Sequence, residues 1–196
     1  RLDERTTSAE ETRKLGIEVG DFVAFDTRIE MHNGFIRSRY HDDKACVACV
    51  VAAVKAITEA GMKPAVKTYL HFSNYEEVGH GGSAGIPEDA AELLAVDMAA
   101  IGEGLNSDEF HASICVKDSS GPYDHKLSSR LREIASRPDI PYKVDVYPFY
   151  SSDGAASFRA GGDLPVALIG PGVDASHNYE RTHLEALTAT ARWIMA

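Results

Sequence analysis

Two adjacent acids, Glu76 and Glu77, follow the alternating run VKTYLHF within the stretch VKTYLHFSNYEEVGHGG at residues 66–82. Neighbouring side chains of an extended chain point in opposite directions. One glutamate can therefore hold a ligand while the other stands off and serves as a base. Asp42 and Asp43 form a second acid pair ahead of an apolar run, Asp97 follows the apolar LLAV, and His183 opens the last helical segment. Each is flanked by residues that should be buried. Carboxylates that converge without a counter-charge repel one another and take up protons. Two or more divalent cations among them remove the problem. A two-metal site also acidifies a water and clamps both oxygens of a hydrolytic transition state. Asp, Glu and His suit zinc, cobalt or manganese. The competing reading is that strand-end acids are solvated loop residues.

Other spacings suggest other chemistries. GGSAG at 81–85 matches a nucleophile elbow with Ser83 as nucleophile, and Asp97 and His183 follow in the required order. An elbow needs a strand directly before the serine and a helix directly after it; here Ile86-Pro87 interrupts. GHGGSA at 79–84 matches a dinucleotide fingerprint, but Glu76 and Glu77 would face the pyrophosphate and no helix start is at hand. Both read as a loop shaped by glycine. Cys46 and Cys49 form C-x-x-C inside an apolar helix with no second pair, which suggests small buried hydrophobes in a reducing compartment. His71, His80, His111, His125 and His177 have no partner that spacing identifies, and Asp153 reads as an acid near a helix N-cap. A metal-free glycosidase using a carboxylate pair is an alternative; it would need Asp42 or Asp97 to face a glutamate.

These residues must be placed by an alternating pattern of strands and helices. Residues 1–36 read as short strands and turns, with GIEVGDFVAFD (16–26) the clearest strand. Residues 43–61 read as a helix apolar on nearly every side, hence buried against a sheet. Strands are expected near 65–75 and in LLAVDMAA, EFHASICVKD, YKVDVYPFY and LPVALIG. Helices are expected in IPEDAAELL, YDHKLSSRLREIASR, SDGAASFRAG and THLEALTATARWIMA. Such alternation means an α/β sheet covered on both faces, with ligand sites at the carboxyl ends of strands. The 196 residues suffice for a core, and a net charge of −10 excludes nucleic acid as the main partner. No run of eighteen apolar residues occurs, so no membrane-spanning helix is expected.

Seven motifs in order, SRYHDDKACV, NYEEVGHGG, LLAVDM, KDSSGPYD, YSSDGAASFRAG, ALIGPGVDASH and YERTH, resemble the di-metal aminopeptidases that include glutamyl aminopeptidase and the tetrahedral (TET) peptidases. Some relatives are labelled endoglucanase M. The resemblance implies a phosphorylase/hydrolase-like three-layer α/β sandwich with a mixed, mostly parallel sheet. It implies release of amino-terminal residues from peptides by a cytoplasmic homo-oligomer holding two divalent metal ions, zinc foremost. Asp42 would bridge both metals, Glu76 would be the general base, Glu77 and His183 would ligate one metal and Asp97 the other. The family's upstream H-x-D motif, whose histidine joins Asp97, is absent from this sequence. Residues 1–36 resemble the tail of an inserted β-barrel or PDZ-like dimerisation domain, and 37–196 a catalytic domain without its N-terminal part. The chain is thus expected to be the carboxyl-terminal part of a longer peptidase, with a non-catalytic assembly or binding fragment as the alternative reading of this stretch alone.

Overall fold

The computed structural model describes residues 4–137 and 140–196. Residues 1–3 of the expected 1–36 unit lie outside the described residues. The elements run α1 (Ala9–Lys14), β1 (Glu30–His32), β2 (Phe35–Ser38), α2 (His41–Glu59), β3 (Leu93–Val96), β4 (Ala99–Ala100), β5 (Ala112–Asp118), β6 (Gly121–Pro122), α3 (His125–Ala135), β7 (Tyr142–Val146), α4 (Asp153–Arg159), β8 (Val166–Val173), β9 (Glu180–His183) and α5 (Leu184–Met195).

The central sheet follows the order β3-β8-β5-β6, with β4 also on β8 and β7 on β5. It is mixed: β3, β4 and β8 run parallel, as do β5 and β7, while β8 and β6 are antiparallel to β5. All eight residues of β8 are buried, as befits a strand covered on both faces. On one face Ala167 and Ile169 pack with Ile114, with Leu127 and Leu131 of α3 and with Trp193 of α5. The indole of Trp193 donates to Leu131 O at 3.0 Å, so burying the ring leaves no unpaired donor. On the opposite face Val166 and Leu168 meet Ala95, Tyr123 and Tyr147, with α4 beyond. Helices, sheet, and α4 with its loops make three layers. A second, antiparallel sheet, β1-β2-β9, joins residues 30–38 directly to the segment before α5.

Close approach of backbones decides two glycines. A Cβ on Gly170 would meet Asp97 O at 1.7 Å, and one on Gly172 would meet Asp108 O at 1.9 Å. Only glycine lets β8 lie so close to the turns that follow β3 and precede β5.

Several expected elements do not form. GIEVGDFVAFD pairs with no strand among the described residues, and Val19 and Phe22 are fully exposed. Residues 66–72 take no regular secondary structure, no described strand pairs with them, and Val66, Leu70 and Phe72 are exposed. Alternation marks a chain able to join a sheet; the ladder still needs a neighbour. IPEDAAELL is not helical: a turn at Glu88–Asp89 precedes β3, whose pairing with β8 claims Leu93 and Leu94. LLAVDMAA splits into β3 and β4 around Asp97 and Met98. Helix α2 is buried along one stripe only, Ala45, Cys46, Cys49 and Ala53, where it packs on α5 and β8; Val47, Val51 and Val54 are exposed.

Candidate metal centre

The acids converge at the carboxyl end of β3 and the start of α2. Asp42 and Asp43 interrupt α2 with non-helical backbone, φ −79° and ψ 103° at Asp42 and φ −120° and ψ 31° at Asp43, before the regular helix begins at Lys44. Glu76 and Glu77 open a single 3-10 turn that ends at Val78. Gly79, at φ 84°, closes the turn by donating to Glu76 O at 2.7 Å, a conformation that favours glycine. Asp97 sits just past β3, where its Oδ1 accepts from the Met98 amide at 2.7 Å.

Two groups of potential ligands share Asp42. In one, Asp42, Glu77 and His177 bring ligand atoms within 4.8 Å of one another; in the other, Asp42, Asp43 and Asp97 do so. His177 Nε2 lies 3.2 Å from Asp42 Oδ2 and 3.1 Å from Glu77 Oε2. The Ser176 hydroxyl donates to the same Asp42 oxygen at 2.6 Å. Glu180 organises this corner from beneath. Its side chain is 1 % exposed. It accepts the amides of His41, of Asp42 at 3.1 Å and of His177 at 3.1 Å. One carboxylate thus fastens the segment carrying Asp42 to the turn carrying His177.

The electrostatics are unbalanced. Burial, and then neighbouring acids, push Asp97 well above the usual carboxylate range. Burial does the same to Asp43, with Asp42, Glu76 and Glu77 adding to it. Glu76 is pushed up to about 7 by burial, then by Glu77, Asp153 and Asp42. Asp43 Oδ1 is buried and meets no hydrogen-bond partner among the described residues. Oxygen donors in this number, one of them orphaned and one imidazole nitrogen beside them, fit a divalent cation such as zinc.

Of the residues expected at the site, Asp42, Glu77 and Asp97 fall into these groups, and Glu76 stands beside them. His183 does not join them. Its ring packs against Phe35 and Phe110 with centroids at 4.8 and 5.0 Å, and its Nε2 is 3.2 Å from Asn33 O. The cause is strand alternation: Glu180 and Thr182 point inward from β9, and His183, an odd number of residues from Glu180, points the other way. His177, in the turn before β9, takes the place beside Asp42. Its sequence signal is faint, a histidine after GPGVDAS. Ser83 is exposed in a short 3-10 turn between non-strand and non-helix segments, which leaves the elbow reading without its scaffold. Cys46 and Cys49 are free and buried, as a packing role requires.

The family profile described as M42 glutamyl aminopeptidase matches residues 1–193, and the chain belongs to this family of peptidases. It is 48 % identical over 193 residues to YhfE of Bacillus subtilis strain 168, which carries a provisional aminopeptidase name; the match covers 98 % of this chain and 56 % of YhfE. Among solved structures, the aminopeptidase APDkam598 from Desulfurococcus kamchatkensis superposes with a TM-score of 0.80 at 22 % identity, over 97 % of this chain and 56 % of that one. The TET1 peptidase of Pyrococcus horikoshii, described as assembling into a tetrahedron or a large octahedral shell, gives 0.75 at 20 % identity over 95 % and 56 %. The chain therefore spans little more than half the length of these relatives.

Proposed function

We propose that this chain carries the metal-binding and general-base part of an aminopeptidase acting on peptide amino termini. The observation that supports this most directly is the pair of ligand groups hinged on Asp42. Asp42 would be shared between two divalent ions, zinc in the first instance, with cobalt or manganese as alternatives. Glu77 and His177 would hold one ion, and Asp97, with Asp43 beside it, the other. The bound ions would supply an acidified water and polarise the scissile carbonyl. Glu76, half-buried and outside both ligand groups, would take the proton of the attacking water on its carboxylate and hand it to the leaving amine. Three buried free thiols accord with a reducing, cytoplasmic setting. A homo-oligomer at the length of its relatives completes the reading.

The test is zinc binding and aminoacyl-nitroanilide hydrolysis, measured on this chain and on a version extended to its relatives' length. Glu76→Gln should keep zinc and lose about 10²- to 10⁴-fold in turnover, the range of general acid–base catalysis. Equal loss of zinc in Glu76→Gln would reverse the roles of the two glutamates. Hydrolysis that survives a chelator would overturn the metal-dependent reading.

A further inference from the structure

We infer that Asp153, the first residue of α4, is a positioning residue that fixes the Glu76–Glu77 turn in place; the inference rests on the role proposed above for those glutamates. Among the described residues, no sheet holds the turn. Residues 66–80 pair with no described strand, and the internal bonds of the turn, Gly79 N to Glu76 O and His80 N to Tyr75 O, shape it without anchoring it. Apart from the contact of Glu77 with His177, its anchors come from α4. Asp153 Oδ2 accepts from the Ser73 hydroxyl, and Asp153 Oδ1 accepts from the Gly82 amide at 2.6 Å. Arg159, one helix length on, donates to Gly79 O at 3.2 Å. Asp153 therefore grips the chain on both sides of the two glutamates, three residues before Glu76 and five after Glu77.

The glycines beside it show how tight the fit is. A Cβ on Gly81 would lie 2.6 Å from Ser73 Oγ, 2.7 Å from Glu76 N and 2.8 Å from Asp153 Oδ1. A Cβ on Gly82 would lie 2.2 Å from Asp153 O. The glycine loop that resembles a nucleotide fingerprint in sequence is thus a groove for an aspartate and the start of its helix. An ordinary helix-start acid would accept amides of its own first turn. Here that work falls to Ser152, whose hydroxyl accepts from Gly154 N at 3.2 Å, and both Asp153 oxygens serve a segment some seventy to eighty residues away.

The test compares Asp153→Ala and Asp153→Asn with the unaltered 196-residue chain. The readouts are native-state amide exchange at Gly82, zinc affinity by competition with a chromophoric chelator, and kcat and KM of whichever length proves active. Loss of two bonds to a charged acceptor should speed Gly82 exchange and weaken zinc binding, each by about 10-fold or more, in Asp153→Ala. In an active form kcat should fall while KM holds. Asparagine can still accept from Gly82 and donate to Ser73 Oγ, so Asp153→Asn should stay within about 3-fold of the parent. A folded Asp153→Ala with unchanged Gly82 exchange and zinc affinity overturns the inference, as does an Asp153→Asn as impaired as Asp153→Ala. Should Asp153→Ala fail to fold, Ser73→Ala carries the test; it should weaken zinc by about 3-fold, and no change overturns the inference. A parent chain that binds no zinc sinks the metallopeptidase reading instead, while Gly82 exchange still decides whether Asp153 holds the turn.

Discussion

Glu180→Gln removes one acceptor oxygen and the charge from a side chain that gathers three backbone amides, and it changes the volume little. In the native chain one oxygen takes the His41 and Asp42 amides and the other takes the His177 amide. A glutamine can orient its carbonyl toward only one of these sides. The better choice keeps His41 and Asp42, which turns the NH2 group against the His177 N–H, donor to donor. Each hydrogen bond to a charged acceptor contributes about 1.5–3 kcal/mol, and a stranded buried donor costs about 1–3 kcal/mol. Relief from burying a charge offsets part of this. The net expectation is a loss of about 2–4 kcal/mol, which lowers Tm by about 5–15 °C for a chain of this length. The measurement is thermal unfolding by circular dichroism in chelator at neutral pH, so that bound metal does not contribute. A Tm within about 2 °C of the parent would refute Glu180 as the bolt between the two segments, because no reasonable offset cancels a lost charged bond and a stranded donor together.

His177→Ala and His183→Ala should separate the histidine that lies beside Asp42 from the one that the resemblance assigns to a metal. The first should abolish tight zinc binding at one site with little loss of stability, since its side chain is 73 % exposed. The second should cost about 1–3 kcal/mol through lost packing on Phe35 and Phe110 but leave zinc affinity intact; the reverse pattern, read by isothermal titration and urea melts, would contradict the assignment. Burial pushes the thiols of Cys49 and Cys115 up to about 12 and that of Cys46 well up too. A thiol reagent at pH 8 should therefore label none of them in the native chain and all three in denaturant. Rapid native labelling of even one would show that its surroundings are open.

Elements held by their own patterning, such as α3, α5, β5 and β8, stand in the structure close to where periodicity puts them. The misses share a physical origin. Residues 66–72 alternate correctly, yet strandhood depends on a neighbouring ladder that periodicity does not report. Helix α2 is apolar nearly all round, but Val47, Val51 and Val54 are exposed while Ala45, Cys46, Cys49 and Ala53 are buried. At the site, the acids were legible because charge beside apolar runs is costly wherever the chain goes. The histidine that lies beside Asp42 was not. That His177 sits there while His183 packs on Phe35 follows from the side-chain parity of β9 and its register against β2, with Phe35 opposite His183 and Ser38 opposite Glu180. Glu180 gave no signal for a similar reason: in YERTH it looks like any surface glutamate until its burial is known.

The Glu180 clasp spans 139 residues to His41 and 138 to Asp42. No short peptide cut from either side can rehearse that arrangement, and closing so long a loop comes late in folding because its entropy must be overcome before the contact repays it. The corner where Asp42 meets His177 is then expected to assemble only once β9 has found β2. A nascent chain would have its acids dispersed and weakly attractive to metal until that moment, and would gain a tight binding corner abruptly when the two distant strands meet.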